Sequence, residues 1–293
     1  MSTVNPRGNM NVVVVGNCQS RPIASILQKV DLNINVTIVA VVHLLKSDQY
    51  GEYINHFQDA DFIITQLLAD NYPCDFVRTK YLKEKFGAKV ITIVNLYYSG
   101  YHPDWLYIKL PSIGMIKGPI GDYHNKTIFK CWQNNQSSKL ASELIEDYEY
   151  NTLYAKDRVQ SLLELKTREA NVDIKITDFI EKHQLEYQLF FTFNHPIQRL
   201  IFEYVSRILT YMNLKAHKPD SIMANEPLGM FRPMVNPISR TMQHCETLHQ
   251  GVRFPALVGQ PQIVTRYSSR EVADIFYTIY DQHAESALHL EIS

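Results

Sequence analysis

Short runs of consecutive apolar residues recur along the first third of the chain, each closed by a polar residue and followed by a stretch of different period. In Asn11-Val-Val-Val-Val15 four consecutive positions are β-branched and apolar, the pattern of a strand buried on both faces. Gly16 ends it. In Ser20–Lys29 the residues Ile23, Ile26 and Leu27 share one helical face, and Pro22 falls in the first turn, where an absent N–H is tolerated. The segment therefore predicts strand, tight turn, helix. Further apolar runs at Val36–Val42, Asp61–Thr65 and Lys89–Val94 predict three more strands, with helical stretches between some of them. Alternation of this kind predicts an α/β fold, a mainly parallel sheet flanked by helices. Asn17-Cys18-Gln19, Gln66 and Asn95 each follow an apolar run. In open α/β sheets ligands bind beyond the carboxyl ends of the strands, so these polar groups are expected to converge on one cleft.

From Lys139 to Arg168 the pattern is helical and charged, and it predicts a helical insert within residues 139–187. Asn171–Ile176 is expected to be a short extended piece, with Thr177 or Asp178 capping a helix to about Gln184. Gln188–Phe193 predicts another strand, running through Asn194-His195-Pro196 into a long amphipathic helix over Ile197–Met212. His195 is thereby expected at a second strand-to-helix junction. Residues 216–264 are proline-rich and without clear period, which predicts an irregular region. Ser268 or Ser269 caps a last helix, Arg270 to about Glu285, with Val272, Ile275, Phe276 and Ile279 on one face. The expected organisation is a loose tail over residues 1–10 and one α/β domain over 11–293, with 216–293 as an extension packed on the body.

Composition narrows the class of protein. Apolar residues make up 45% and charged residues 20% of 293, as in ordinary globular proteins. With 29 basic and 30 acidic residues there is no field to favour nucleic acid or an anionic membrane, and neither is expected as a partner. Cys18, Cys74, Cys131 and Cys245 are widely spaced with no CxxC pair, which argues for free thiols and against a zinc site or a disulfide scaffold. The first residues lack a secretion-signal core and the apolar runs are too short to span a bilayer, so a cytoplasmic location is expected. GxxxxGK[ST], GxGxxG and HExxH are all absent. That disfavours a nucleoside triphosphatase, a standard dinucleotide enzyme and a metalloenzyme.

Candidate chemistry centres on Gly16-Asn17-Cys18-Gln19. A thiol at a helix N-terminus meets unpaired N–H groups and the positive end of the helix dipole, which favour its thiolate; the same amides can hold an oxyanion. The competing reading makes Cys18 a small buried filler. His195 is a candidate general base, or else a helix-capping neighbour of Pro196. Asn17, Gln66, Asn95 and Asn194 offer amide donors for an oxyanion or a carbonyl, unless they serve their own loops. In Asn95–Trp105, aromatics such as Tyr98 alternate with hydrogen-bonding groups as in a carbohydrate or cofactor cleft; His102 and Asp104 form either an acid/base pair or a turn. Arg21 is placed to meet a phosphate or to face solvent.

The series Gly16-Asn17-Cys18-Gln19-Ser20-Arg21-Pro22, Asp61–Gln66, Asn95-Leu96-Tyr97, His102-Pro103-Asp104 and Asn194-His195-Pro196 resembles the WcbI family of polysaccharide-biosynthesis acetyltransferases. The resemblance implies an α/β fold, coenzyme A as ligand, and O-acetylation of a capsular or surface sugar, without a metal. Gly16, Ser20, Arg21, Asn95 and Asn194 are then expected around the coenzyme, and Tyr98, His102 and Asp104 around the sugar. His195 would be the base, and the amides of Cys18 and Gln19 with the Asn17 or Gln66 side chains would stabilise the oxyanion; Cys18 acting as a covalent carrier is the variant. The order is also similar to SGNH hydrolases, with cysteine at the usual serine and no Asp three residues before His195. A carbohydrate esterase of that type and a non-catalytic sugar- or nucleotide-binding protein are the alternatives.

Overall fold

The computed structural model describes residues 9–110, 114–215, 226–241, 249–255, 264–284 and 291–292. In chain order the elements are β1 (Met10–Gly16), α1 (Ser20–Val30), β2 (Ile34–Val41), α2 (Tyr50–Asp59), β3 (Phe62–Gln66), α3 (Thr79–Phe86) and β4 (Val90–Ile93). Then come β5 (Trp105–Leu110), β6 (Gly114–Met115), β7 (Tyr123–Asn125), α4 (Lys126–Gln133), α5 (Ser138–Leu144), α6 (Tyr148–Asn151), α7 (Asp157–Arg168) and α8 (Thr177–His183). The remainder are β8 (Phe190–Thr192), β9 (His195–Pro196), α9 (Gln198–Tyr211), β10 (Phe231–Arg232), α10 (Pro237–Arg240), β11 (Gly251–Arg253), β12 (Thr265–Tyr267), α11 (Ser269–Gln282) and β13 (Glu291–Ile292). Among the described residues no helix is long and apolar enough to cross a membrane.

Two compact units divide the chain. The first takes residues up to Leu96, Leu165–Ile180 and Gln198–Pro227; the second takes Tyr97–Glu164, Glu181–Ile197 and the chain from Leu228. The first unit is built on a parallel sheet of order β2-β1-β3-β4, which bears out the α/β reading. Val12, Val13, Val14 and Val15 are at most 1% exposed because β1 is central, pairing with β2 on one side and β3 on the other. Val13 and Val15 on one face of β1 share a core with Phe57, Phe76, Val77 and Leu82, and α1 buries Ile23, Ile26 and Leu27 as the spacing predicts. Beyond β4 the sheet gains a parallel bridge, Ile93 to Ile174, so the extended piece predicted at 171–176 borders it. Asp173 secures that border by accepting the Thr92 N–H at 2.7 Å and the Thr92 hydroxyl at 2.6 Å.

The second unit is antiparallel where it is β. β5 pairs with β6, β7 and β13, and Trp105, Ile108, Phe129, Phe193 and Phe276 belong to its core. Two sequence expectations are corrected here. The apolar run Gln188–Phe193 is a three-residue strand, β8, folded back on His195–Pro196 as a two-stranded antiparallel pair; it is no part of the parallel sheet. The proline-rich region is not wholly irregular, since β10 and β11 lie within it and form a three-stranded antiparallel sheet with β12, just past its end. The stretch expected to be helical over 139–168 holds the three helices α5, α6 and α7, and the Asp147 side chain accepts the Tyr150 N–H to start α6. Residues 1–8, which hold most of the expected tail, much of 216–264, and Cys245 lie outside the described residues; Met10 already belongs to β1.

Candidate active site

Strand order 2-1-3-4 places the reversal of the sheet between β1 and β3, so the crevice where open α/β sheets bind ligands opens at the carboxyl ends of these two strands. Gly16 and Asn17 leave β1 there, and Gln66 ends β3. Gln66 Oε1 accepts the Asn17 N–H at 2.8 Å, and Gln66 Nε2 donates to Gln19 Oε1 at 3.0 Å. Gln19 reaches on to Leu96, in the chain leaving β4: its Oε1 accepts the Leu96 N–H at 2.9 Å and its Nε2 donates to the Leu96 carbonyl at 2.7 Å. Both glutamines are buried, Gln19 completely, so each amide must find partners inside the fold. The Leu96 N–H needs an acceptor and the Leu96 carbonyl a donor, which fixes the orientation of Gln19 and, through it, that of Gln66. A side-chain brace thus joins the ends of three strands.

That brace explains the glycine. A Cβ on Gly16 would lie 2.8 Å from Cδ and Oε1 of Gln66, closer than carbon atoms approach, so only glycine lets the amide pack flat on the turn. Asn17 then folds over the start of α1, its Oδ1 accepting the Gln19 N–H at 3.0 Å and its carbonyl accepting the Ser20 hydroxyl at 2.7 Å. Asn17, Gln19 and Gln66, expected on one cleft, do come together, and they do so as a scaffold. Neither the Asn17 nor the Gln19 N–H points to an outside anion.

Cys18 sits half-buried on this turn, whereas Cys74 and Cys131 are 1% and 2% exposed. Its thiol pKa is raised by burial; the main-chain N–H groups of Cys18 and Gln19 and the charge of Arg21 pull it down but are outweighed. The expectation of a favoured thiolate is therefore corrected. The helix-start effect exists, and desolvation exceeds it. Arg21 is exposed in the first turn of α1, and its charge also lowers the pKa of His43 after burial does. Asn95, half-buried, is held by Arg168 of α7, whose Nη1 donates to Asn95 Oδ1 at 2.7 Å and to its carbonyl at 3.2 Å.

The remaining candidates belong to the second unit. His195 Nε2 lies 3.3 Å from the Tyr123 hydroxyl, which donates to Asn194 Oδ1 at 2.7 Å; Asn194 Nδ2 donates to the Tyr107 hydroxyl at 2.7 Å. Phe193 packs edge-on against Tyr107 and Tyr123, so an aromatic cluster sets the Asn194-His195 corner. Burial lowers the His195 pKa to about 4 against the opposing backbone of Leu228, so the imidazole is neutral at physiological pH. Nothing in the sequence singled out Tyr107 or Arg168; the alternation along β5 was the available signal for the first.

His102 and Asp104 do not act as a pair. His102 is buried with Nδ1 3.3 Å from the Met234 carbonyl, and burial lowers its pKa to about 4. Asp104 Oδ2 accepts from Asn125 at 2.7 Å; burial pushes its pKa up to about 6, while Asn125, Asn236 and Lys126 hold it down. They mark a buried turn in which the Trp105 N–H donates to the His102 carbonyl. Tyr98 is equally interior, its hydroxyl donating to Gln184 and its ring edge-on to Tyr101. No group of three His, Cys, Asp or Glu residues among the described residues is arranged to hold a metal ion.

Residues 11–217 match the family model described as polysaccharide biosynthesis enzyme WcbI. A solved structure of WcbI, described as a novel polysaccharide biosynthesis enzyme and as the native protein without a disulfide bond between coenzyme A and one of its cysteines, has a similar fold. The likeness covers 96% of this chain and 97% of that one, with a TM-score of 0.69 and 17% identity. No curated protein matches the chain.

Proposed function

The chain belongs to the WcbI family of polysaccharide biosynthesis enzymes, and from that premise we propose that it transfers an acetyl group from acetyl-coenzyme A to a sugar hydroxyl of a capsular or other surface polysaccharide. The observation that carries the reading is the Gln19–Gln66 brace, which holds the Asn17-Cys18 turn at the reversal of the sheet. A turn fixed in advance suits catalysis, because little is left to organise when substrate arrives.

The residues fit coenzyme A in kind. Of the described cysteines, Cys18 alone is not buried, and a half-buried thiol suits a thiol cofactor. Arg21, exposed on the first turn of the same helix, is of the type that pairs with a pyrophosphate. Gly16, Ser20, Asn95 and Asn194 are retained as candidate coenzyme contacts. Acetyl-coenzyme A, when bound, supplies an activated thioester. The Cys18 thiol, kept protonated by burial, favours direct transfer over a covalent acetyl-cysteine. His195 is assigned the proton of the sugar hydroxyl, since burial keeps its imidazole unprotonated and only the unprotonated ring can accept a proton. Gln19 and Gln66 act as positioning residues, through the turn they hold. A cytoplasmic location accords with the use of this cofactor.

Calorimetry with coenzyme A, followed by mass spectrometry of acceptor oligosaccharides incubated with acetyl-coenzyme A, tests the proposal. Saturable binding and an acetylated product are expected. Hydrolysis of p-nitrophenyl acetate without coenzyme binding would replace the transferase with an esterase. A fully active Cys18→Ser variant would establish direct transfer, and an inactive one that still binds the coenzyme would establish the covalent route.

A further inference from the structure

We infer that the second unit carries a binding site for a neutral saccharide, at the C-terminal end of α4 and the last turns of α11. A cavity of about 560 Å³ there is lined by Trp132, Gln133, Asn135, Gln136, Tyr277 and Asp281, a volume within the range of small-ligand pockets. Both aromatic rings are half-buried and fixed from behind. Trp132 stacks on Phe129 at 6.0 Å and 22°, and its indole N–H donates to Asp281 Oδ1 at 2.8 Å. The Tyr277 hydroxyl donates to the Gln136 carbonyl at 2.8 Å. The turn between is set by the main chain: Asn135 takes a left-handed φ of 54°, its N–H donating to the Trp132 carbonyl at 3.0 Å, and the Gln136 N–H donates to the Cys131 carbonyl at 2.9 Å.

That combination selects a class of ligand. Aromatic faces pack against the C–H faces of a pyranose, while three carboxamides and a carboxylate match its ring of hydroxyls as donors and acceptors. Because the rings and the turn are already held, little freedom is lost on binding. Among the described lining residues Asp281 carries the charge and no cation balances it. A nucleotide, a uronic acid or a sulfated sugar would bring a second negative charge against it, so the site favours uncharged sugars. None of the residues assigned to acetyl transfer lines this cavity, and the inference rests on the cavity alone.

The test uses the tryptophans. Trp105 is 2% exposed in the core and Trp132 is the second of two in the chain, so a change in emission on adding sugar reports the cavity. The full-length protein is titrated with methyl glycosides of glucose, galactose and mannose and with the disaccharides maltose, lactose and cellobiose, taking glucuronic acid as the charged control. A saturable change with at least one neutral sugar is expected, at least roughly tenfold tighter than with glucuronic acid. Gln133→Ala and Asp281→Asn should each weaken it by roughly tenfold with an unchanged circular dichroism spectrum; Asn retains an oxygen for the Trp132 N–H. No response to any neutral sugar, or a response unaltered in both variants, overturns the inference. Cys18→Ser should give the parental sugar titration, so a loss of coenzyme A binding in that variant bears on the acetyl-transfer reading only.

Discussion

Gln66 Oε1 accepts the Asn17 main-chain N–H at 2.8 Å while the Nε2 of the same amide donates to Gln19 at 3.0 Å, so one buried side chain satisfies both a turn and a second side chain. Gln66→Leu keeps the volume and leaves the Asn17 N–H without its acceptor, at a cost of about 1–3 kcal/mol. Gln66→Glu keeps that acceptor but sets a carboxylate against Gln19 Oε1, where the donor was. Urea unfolding should show both variants less stable than the parent, and coenzyme A affinity should fall with them. A Gln66→Leu protein of parental stability would contradict the brace.

Gly16→Ala tests the same packing from the other side. A methyl group 2.8 Å from Gln66 Cδ must push the amide away or shift the turn, and overpacking of this kind costs about 1–3 kcal/mol. Combining it with Gln66→Ala should recover part of that loss, because the clashing atoms are gone. Thermal unfolding of the single and double variants measures the coupling.

Cys18 chemistry is set by desolvation. With its pKa raised, the alkylation rate by iodoacetamide should keep climbing through the alkaline range in which an ordinary cysteine has levelled off. Quantitative mass spectrometry of the Cys18 peptide across pH gives the curve directly. A plateau near neutral pH would restore the thiolate expected from the helix start.

Acid should loosen the fold through histidine. His102, His124 and His195 each have a folded-state pKa of about 4, below the ordinary 6.5, so the unfolded chain binds more protons between those values. Their contribution is complete above about pH 6.5 and falls as pH drops toward 4, by about 1 kcal/mol per pH unit for each group. Asp104, raised to about 6, works in the opposite sense in the same window. Three groups outweigh one, so the urea midpoint should decline from pH 7 to pH 5, and His124→Gln should flatten the decline.

Transfer activity should share part of this profile. If His195 accepts the proton, kcat/KM has its acidic limb near pH 4, well below that of an unperturbed imidazole. The limb should vanish in a His195→Ala protein with residual activity. A limb near 6.5 would assign the proton to another group.

Much of the first unit could be read from the sequence because local and global signals agree there. Val12–Val15 are apolar at every position since β1 lies mid-sheet, and Pro22, Ile23, Ile26 and Leu27 mark α1 by spacing. Gln66 stood out as a polar residue at the end of a buried run. What spacing could not give is the partner of each amide, which depends on strand order, and Arg168 reaches Asn95 from 73 positions away. In the second unit the apolar run before Asn194 is dense enough for a buried strand, yet it owes its burial to an aromatic cluster. Strands of two or three residues, such as β10 and β11, are too short for any period to show.

Gln19 offers Leu96 a carbonyl and an N–H side by side, as the backbone of a neighbouring strand would, so its carboxamide stands in for a peptide group where the ladder has ended. Among the genetically encoded side chains only an amide of this reach can mimic that geometry: asparagine is one methylene shorter and glutamate has no hydrogen to give. Drift at position 19 is thereby confined by the architecture itself, before any demand made by substrate. The Leu96 amide hydrogen should consequently exchange with solvent as slowly as those within the sheet.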